Sequence, residues 1–486
     1  MARPAEAPTA WPEGGDGPLY VRIARRIERE IRTGVLRPGD RAPSVRSLSR
    51  ALGVSMTTVL EAYYRLEDRG YLEARPRSGF FACSPRAQAL AEPACSSAEP
   101  SPSAVATGRL TIEVLRSLTD PGMVPLGAAS AAPDLLPARK LNRIVREVLR
   151  ELPDHSSRYT FPPGAEDLRR QIARRSYAYG CTFSPDEVVI TTGAMEALNL
   201  CLRAVARPGD LVAIETPTYF GIIQAIESLG MRALEIPAHP GTGIDLGLLE
   251  RALSKHAVKA CVVMTTCHNP LGSVMSNERK RALVELLGQH AVPLVEDDIF
   301  GDLVFDGRRP KAAKAFDRKA QVLLCSSFSK TLAPGFRVGW VQPGRYRAEV
   351  ERLKYLTTLA SASLPQLAVA RFLESGGYDR HLRRLRIALA DQVQKATDAI
   401  ARYFPRGTRV TRPMGGYLLW AELPPPVDAI GLYRRAMAER ISILPGPVFS
   451  ATGTFRRHIR LSCGYPWSEE MERAFRTLGR LAVSRA

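Results

Sequence analysis

No apolar run in this chain approaches the ~18 residues that a membrane-spanning helix needs, so no such helix is expected. The eight cysteines (Cys83, Cys95, Cys181, Cys201, Cys261, Cys267, Cys325 and Cys463) include no C-x-x-C pair. They are scattered along the chain, which leaves reduced, mostly buried thiols as the expectation. No metal site is expected, since His268 has no ligating partner. No internal repeat is visible. Met1 to Gly17 is polar and lacks the apolar centre of a signal peptide, so the expected location is the cytoplasm. Acidic residues are in short supply. Against 68 lysines and arginines stand 49 acids, a formal net charge of +19. Such an excess points to a polyanionic partner.

With 486 residues, 45% apolar and 24% charged, the chain has the composition of a folded protein with two or three domains. Residues 83–108 are dominated by Ala, Ser and Pro and have almost no large apolar side chain, which predicts a flexible linker between domains at 18–82 and 109–486. Beyond it, short apolar segments alternate with helical patterns. Glu187–Thr191, Leu211–Ile214, Ala260–Met264, Pro293–Glu296 and Gln321–Cys325 are the strand candidates. Their alternation with helices predicts an α/β domain with a mostly parallel sheet, whose ligands bind at the carboxyl ends of the strands.

In the first domain, Ile23, Ile27 and Ile31 recur every four residues, which predicts an amphipathic helix over Leu19 to Thr33. Ser44 caps a second helix, Val45 to Leu52, stopped by Gly53; Ser55 caps a third, Met56 to Asp68. Helix, Gly turn, helix is the helix-turn-helix arrangement, and Tyr71 to Ala82 reads as a basic hairpin around Gly79. Residues 18–82 hold thirteen arginines, no lysine and seven acids, an excess suited to a phosphate-facing surface. Pro18-Leu19-Tyr20, Gly34-x-Leu36-x-Pro38-Gly39, Pro43-Ser44-x-Arg46-x-Leu48, Leu52-Gly53-Val54-Ser55 and Thr58-Val59-x-x-Ala62-Tyr63 resemble the winged helix of GntR-type regulators. The resemblance implies a double-stranded DNA operator as partner. Its contacts would be Arg46, Ser55, Met56, Thr57, Thr58, Arg75, Arg77 and Gly79. Many members have arginine where this chain has Met56, and methionine cannot make a bidentate contact to guanine.

Further on, Ser326-Ser327-Phe328-Ser329-Lys330-Thr331-Leu332-Ala333-Pro334-Gly335-Phe336-Arg337 surrounds one lysine with hydroxyls and sets an arginine across a Pro-Gly turn. Hydroxyls and a guanidinium hold a phosphate; a lysine among them suits a Schiff base. The run resembles the cofactor-lysine motif of fold-type I aminotransferases, which implies pyridoxal 5'-phosphate on Lys330 with Ser327, Ser329 and Arg337 at the phosphate. Gly193, Ala194 and Met195 lie at a strand-to-helix junction, where backbone N–H groups and the helix dipole also favour a phosphate. The same resemblance implies that Tyr219 stacks on the pyridine and that Asn269 bonds the phenolic oxygen. Asp297 would pair with the ring nitrogen, and Arg460 would grip a substrate carboxylate. Tyr159 would reach the phosphate of a second subunit, which implies a homodimer. Phe300 departs from the pattern: the family commonly has tyrosine there, donating to the cofactor's phenolate oxygen. Its loss is expected to raise the Schiff-base pKa and slow turnover.

Winged helix, linker and aminotransferase-like domain, in that order, resemble the MocR-type regulators. The resemblance implies a fold-type I large domain with a small C-terminal α+β subdomain. It also implies a homodimer that binds DNA and senses a small amine or amino acid, or the cofactor itself. The rival expectation is a working aminotransferase with an appended DNA-binding head, since Lys330, Asp297, Asn269 and Arg460 are all present. Phe300 tips the reading towards a sensor.

Overall fold

Helices and a hairpin build the first of two units, Met1–Ala89 and Leu90–Ala486, into which the chain divides. The computed structural model describes residues 18–82, 90–94, 99–105, 107–118 and 120–483, apart from 33–34, 38, 69–70 and 76–77. In the first unit, Leu19–Arg32 buries Ile23, Ile27 and Ile31 against Val59, Ala62, Tyr63 and Leu66 of Met56–Asp68. Each such side chain, taken fully from water, contributes roughly 1.5–3 kcal/mol, which a domain this small needs. Val45–Leu52 begins where Ser44 accepts from the Ser47 N–H at 3.1 Å and ends at Gly53, whose φ of 63° is left-handed. Ser55 starts the next helix by accepting from the Thr58 N–H at 3.1 Å. Tyr63 donates to the Pro43 carbonyl at 2.6 Å, tying that helix to the start of Val45–Leu52. Leu72–Arg75 and Gly79–Ala82 then pair antiparallel, Leu72 opposite Ala82.

The second unit is built on a mixed, mostly parallel sheet. Its order is Pro102–Ser103, Arg232–His239, Leu211–Thr216, Val258–Val263, Leu294–Asp297, Val322–Ser327, Gly339–Gln342 and Val189–Thr191. The middle strands run parallel; Gly339–Gln342 and Pro102–Ser103 are antiparallel to their neighbours. These strands are buried on both faces, which is why they read as continuous apolar runs in the sequence. A second, antiparallel sheet of Arg409–Val410, Leu418–Glu422, His458–Ser462 and Leu444–Pro445 packs with Ala429–Ala438 and Glu469–Val483 as the C-terminal α+β part.

The stretch expected to be a flexible linker makes ordered contacts in parts of both halves. Pro102–Ser103 adds a strand to the sheet edge opposite Ala233 and Leu234, and Ala91 accepts from the Val410 N–H at 2.9 Å. An open edge of unpaired N–H and C=O groups captures whatever short extended segment lies near it, and apolar content matters little for that. Residues 83–89 and 95–98 fall outside the described residues.

Candidate cofactor and ligand site

Parallel strands aim their carboxyl ends at one side of the sheet, and the chemistry-bearing residues cluster there. Thr191, Thr216, Val263, Asp297 and Ser327 end their strands and lead into Gly193, Tyr219, Asn269, Phe300 and Lys330. Lys330 is half-buried; its ammonium donates to the Ala129 carbonyl at 2.6 Å and lies 5.9 Å from the centre of the Phe300 ring. Burial first, and then the charge of Arg460, bring its pKa down from 10.5 to about 8, against the opposing pull of Asp297. A lysine held that low exchanges its proton near neutral pH.

Asp297 is fully buried. Its Oδ1 accepts from the Ile299 N–H at 3.3 Å, while Oδ2 has no partner. Burial above all raises its pKa to about 7. The neighbouring Asp298 is spent elsewhere, paired with Arg309, which also holds Asp302 at 2.8 Å. A buried carboxylate oxygen without a donor costs stability unless something brings it a proton. That orphaned oxygen fits the protonated ring nitrogen of a pyridine.

At the other end of the site, Arg337 adopts a left-handed backbone (φ 53°, ψ 42°), a strain of about 1 kcal/mol for a residue with a Cβ. The pose sends its guanidinium to Ser329 Oγ and the Thr192 carbonyl, each at 3.3 Å. Gly193, at φ 82°, could carry no Cβ without running into that guanidinium. Ser327 Oγ accepts from the Ser329 N–H at 3.3 Å. With the N-terminal end of Ala194–Val205, these groups form a cradle of donors suited to a phosphate. Tyr219 packs at 4.7 Å from Phe220; burial, and then the charge of Asp297, raise its pKa against the opposing pull of Arg460 and Arg337.

Arg460 is buried on its strand, and its fork holds two oxygens, Asn269 Oδ1 at 3.2 Å and the Gly127 carbonyl. Burial lowers its pKa to about 10, and it remains a cation at physiological pH. Beside Asn269, His268 accepts from the Leu271 N–H at Nδ1, so Nε2 carries its proton; that nitrogen lies 3.2 Å from the buried carboxylate of Glu215. Sequence reading passed over Glu215, although a carboxylate closing an apolar strand was the signal to follow. It also passed over Tyr417 and the backbone of Gly127–Ala129, the latter because backbone acceptors leave no mark on residue type.

Tyr159 is not brought to this site within the chain. It stands 71% exposed, against Phe161 at 5.5 Å, with Phe161 stacked on Tyr355 at 6.3 Å.

In the first unit, Arg46, Ser55, Met56 and Thr57 are exposed and Thr58 half-buried. Met56 is 53% exposed at the head of its helix, so it does not serve as a core residue. Gly79 is exposed at φ 96°, close to the Arg41 guanidinium. Arg75 is engaged with the Phe81 ring at 4.4 Å and with Glu73 at 3.3 Å. Arg77 lies outside the described residues.

Residues 130–478 match the family model for aminotransferase class I and II. The chain belongs to that family. Residues 19–82 match the model for bacterial regulatory proteins of the gntR family. An uncharacterized HTH-type transcriptional regulator of Escherichia coli, YdcR, is 41% identical over 96% of this chain and 99% of its own length. The family member 2-aminoadipate transaminase of Thermus thermophilus is 31% identical over 76% of this chain and 93% of its own. A solved family structure, the α-aminoadipate aminotransferase LysN complexed with N-(5'-phosphopyridoxyl)-L-leucine, from the same organism, superposes at a TM-score of 0.71. It is 30% identical and covers 76% of this chain and 94% of the other. The chain is therefore a transcriptional regulator in which a GntR DNA-binding domain is joined to an aminotransferase-type domain, and the cofactor of that domain is pyridoxal phosphate. Among the described residues no helix is long and apolar enough to cross a membrane.

Proposed function

We propose that the larger unit is a sensor for an α-amino acid, that Lys330 carries the cofactor, and that ligand binding there changes how a homodimer holds its DNA operator. The observation that carries this reading is the fork of Arg460. It is buried, stays cationic, and is filled by two oxygen acceptors, one of them a backbone carbonyl. Two oxygens at a planar guanidinium are what a carboxylate presents, so an amino acid can replace protein acceptors without leaving the cation bare.

Asp297, Asn269, Tyr219, Gly193, Ser327, Ser329 and Arg337 would hold the cofactor from its ring to its phosphate. Pyridoxal phosphate, when bound, supplies an electron sink for the ligand's amino-bearing carbon. As a carboxylate, Asp297 would keep a proton at the sink's nitrogen end, and that cation would supply the partner that its buried Oδ2 lacks. Phe300 brings no hydroxyl, and its ring offers Lys330 only a face. The exposed stack of Tyr159, Phe161 and Tyr355 supports a second copy as the partner on that side, since three exposed aromatics in one patch are costly in water.

The low pKa of Lys330 favours a second reading, in which the unit also moves protons for transamination. One experiment weighs both. Absorption of the bound cofactor is followed while a panel of amino acids and amines is added, keto acid is assayed, and operator affinity is measured with and without each ligand. A spectral response with altered DNA affinity and no keto acid supports the sensor. Stoichiometric keto acid with unchanged DNA affinity supports the enzyme and overturns the sensor.

A further inference from the structure

The Ala129 carbonyl accepts two hydrogen bonds, from Lys330 Nζ at 2.6 Å and from the Tyr417 hydroxyl at 3.1 Å. Tyr417 is fully buried, with its ring edge-on to Phe300 at 5.5 Å and 75°. Its backbone is pinned on both sides. Gly415 bridges to Val304, Gly416 donates to the Leu303 carbonyl at 3.1 Å, and the Tyr417 carbonyl accepts from Cys463 at 2.7 Å. Gly415 admits no side chain without striking Cys267 and the Leu303 carbonyl. The accepting segment is held as firmly: Leu126 accepts from the Ser462 N–H at 2.7 Å, and Ala132 donates to Gly464 at 2.8 Å. The hydroxyl and the carbonyl therefore meet between two fixed backbones.

We propose that Tyr417 is a positioning residue of the cofactor site: its hydroxyl keeps the Ala129 carbonyl satisfied, so that Lys330 can leave that carbonyl and react. Ala129 is half-buried, and a carbonyl partly shielded from water resists losing its one protein donor more than a carbonyl that keeps a second. Lys330 must give up its ammonium proton before its nitrogen can attack a carbonyl carbon, and Ala129 is the acceptor that holds the ammonium back. Tyr417 acts as a standing donor because burial pushes its phenol further above its ordinary pKa, so it stays protonated throughout the range in which Lys330 titrates. The other groups facing Lys330 are Arg460 from His458–Ser462, Asp297 from Leu294–Asp297, and Arg337. None of them bonds to the Ala129 carbonyl. Next to Phe300, where the family's own hydroxyl is missing, Tyr417 places a different hydroxyl on the lysine's acceptor.

The inference rests on Lys330 being the cofactor lysine, and the test separates the two. The full chain, stripped of cofactor, is trace-labelled with acetic anhydride from pH 6 to 10, and acetylation at Lys330 is read by mass spectrometry. Uptake of pyridoxal phosphate is timed over the same range. With Tyr417→Phe the Ala129 carbonyl depends on Lys330 alone, which favours the ammonium. Both the labelling and the uptake midpoints should rise, with labelling at pH 7 about fivefold slower. A variant that melts earlier yet keeps the wild-type midpoints has lost only packing, and the proposal fails. Should Tyr417→Phe not fold, Lys330→Ala replaces it: amide exchange over residues 127–131 should stay slow, because Tyr417 still holds Ala129. Exchange at the rate of an unanchored loop overturns the proposal. Normal covalent uptake by Lys330→Ala would instead sink the assignment of the lysine itself.

Discussion

Asp297→Asn should make the cofactor-free protein more stable while weakening its hold on the cofactor. The carboxyl is 1% exposed, has one N–H donor at 3.3 Å, and burial raises its pKa from 3.8 to about 7. Between those two values the folded chain binds a proton that the unfolded chain has lost. Wild-type stability therefore falls as pH rises from about 4 to 7 and levels off above. About three units at ~1.4 kcal/mol each makes the full loss roughly 4 kcal/mol. Asparagine keeps the Ile299 bond but places an NH2 where Oδ2 had no partner, at a cost of about 1–3 kcal/mol. The net expectation is near zero at pH 5 and a gain of about 1–3 kcal/mol at pH 8. Trp340 and Trp420 are buried in the larger unit, so tryptophan fluorescence in a denaturant titration reports on it. Pyridoxal phosphate should bind the variant about 10–100-fold more weakly, since a charge-assisted bond contributes ~1.5–3 kcal/mol. A stability difference that is flat with pH, or larger at pH 5 than at pH 8, would refute the claim that an unneutralised buried carboxylate awaits the ring nitrogen.

Three further expectations follow from the same geometry. Phe300→Tyr restores a phenol beside Lys330 and should lower, by about one unit, the pH at which the bound cofactor's absorption changes; an unmoved midpoint would show the missing hydroxyl to be irrelevant. Arg460→Lys replaces a planar fork with a point charge and should weaken the spectral response to amino acids about 10–100-fold while sparing amines that lack a carboxylate; equal losses for both classes would remove Arg460 from ligand recognition. In the smaller unit, Arg46→Ala should weaken operator binding evenly across sequences and reduce the slope of log affinity against log salt by about one; a change confined to one base position would make Arg46 a base reader instead.

The parts of this molecule legible in its sequence are those that local physics dictates. Ile23, Ile27 and Ile31 declare a helix face because a 3.6-residue period has one meaning, and Gly53 marks the helix end because a left-handed residue is needed there. Buried parallel strands announce themselves as apolar runs, and the expected ones exist. Arg232–His239 and Gly339–Gln342 were missed: Pro237 interrupts the first and glycine opens the second, so neither looks like a strand until its neighbours are in place. The edge strand Pro102–Ser103 has no local signal at all, since its neighbour's free edge supplies the reason for it.

The site divides along the same line. Lys330, Asp297 and Arg460 could be named because, on the proposed reading, their side chains would carry the chemistry. What surrounds them is written in backbone, as Gly127 in the fork of Arg460 and Ala129 between Lys330 and Tyr417. A carbonyl is present at every residue, so only the fold decides which carbonyl meets the lysine. Phe300 illustrates the cost of reading side chains alone. Taken by itself it removes a hydroxyl and predicts an impaired site. In the folded chain a tyrosine distant in sequence, Tyr417, brings a hydroxyl to the carbonyl to which Lys330 donates. A hydroxyl at position 300 for the cofactor and a hydroxyl for the lysine's acceptor are separable features, and this site lacks the first while holding the second. A regulator needs a lysine that releases readily and has less use for a donor that speeds turnover. On the reading proposed above, the combination of Phe300 with Tyr417 would suit capturing and releasing a ligand better than transforming one.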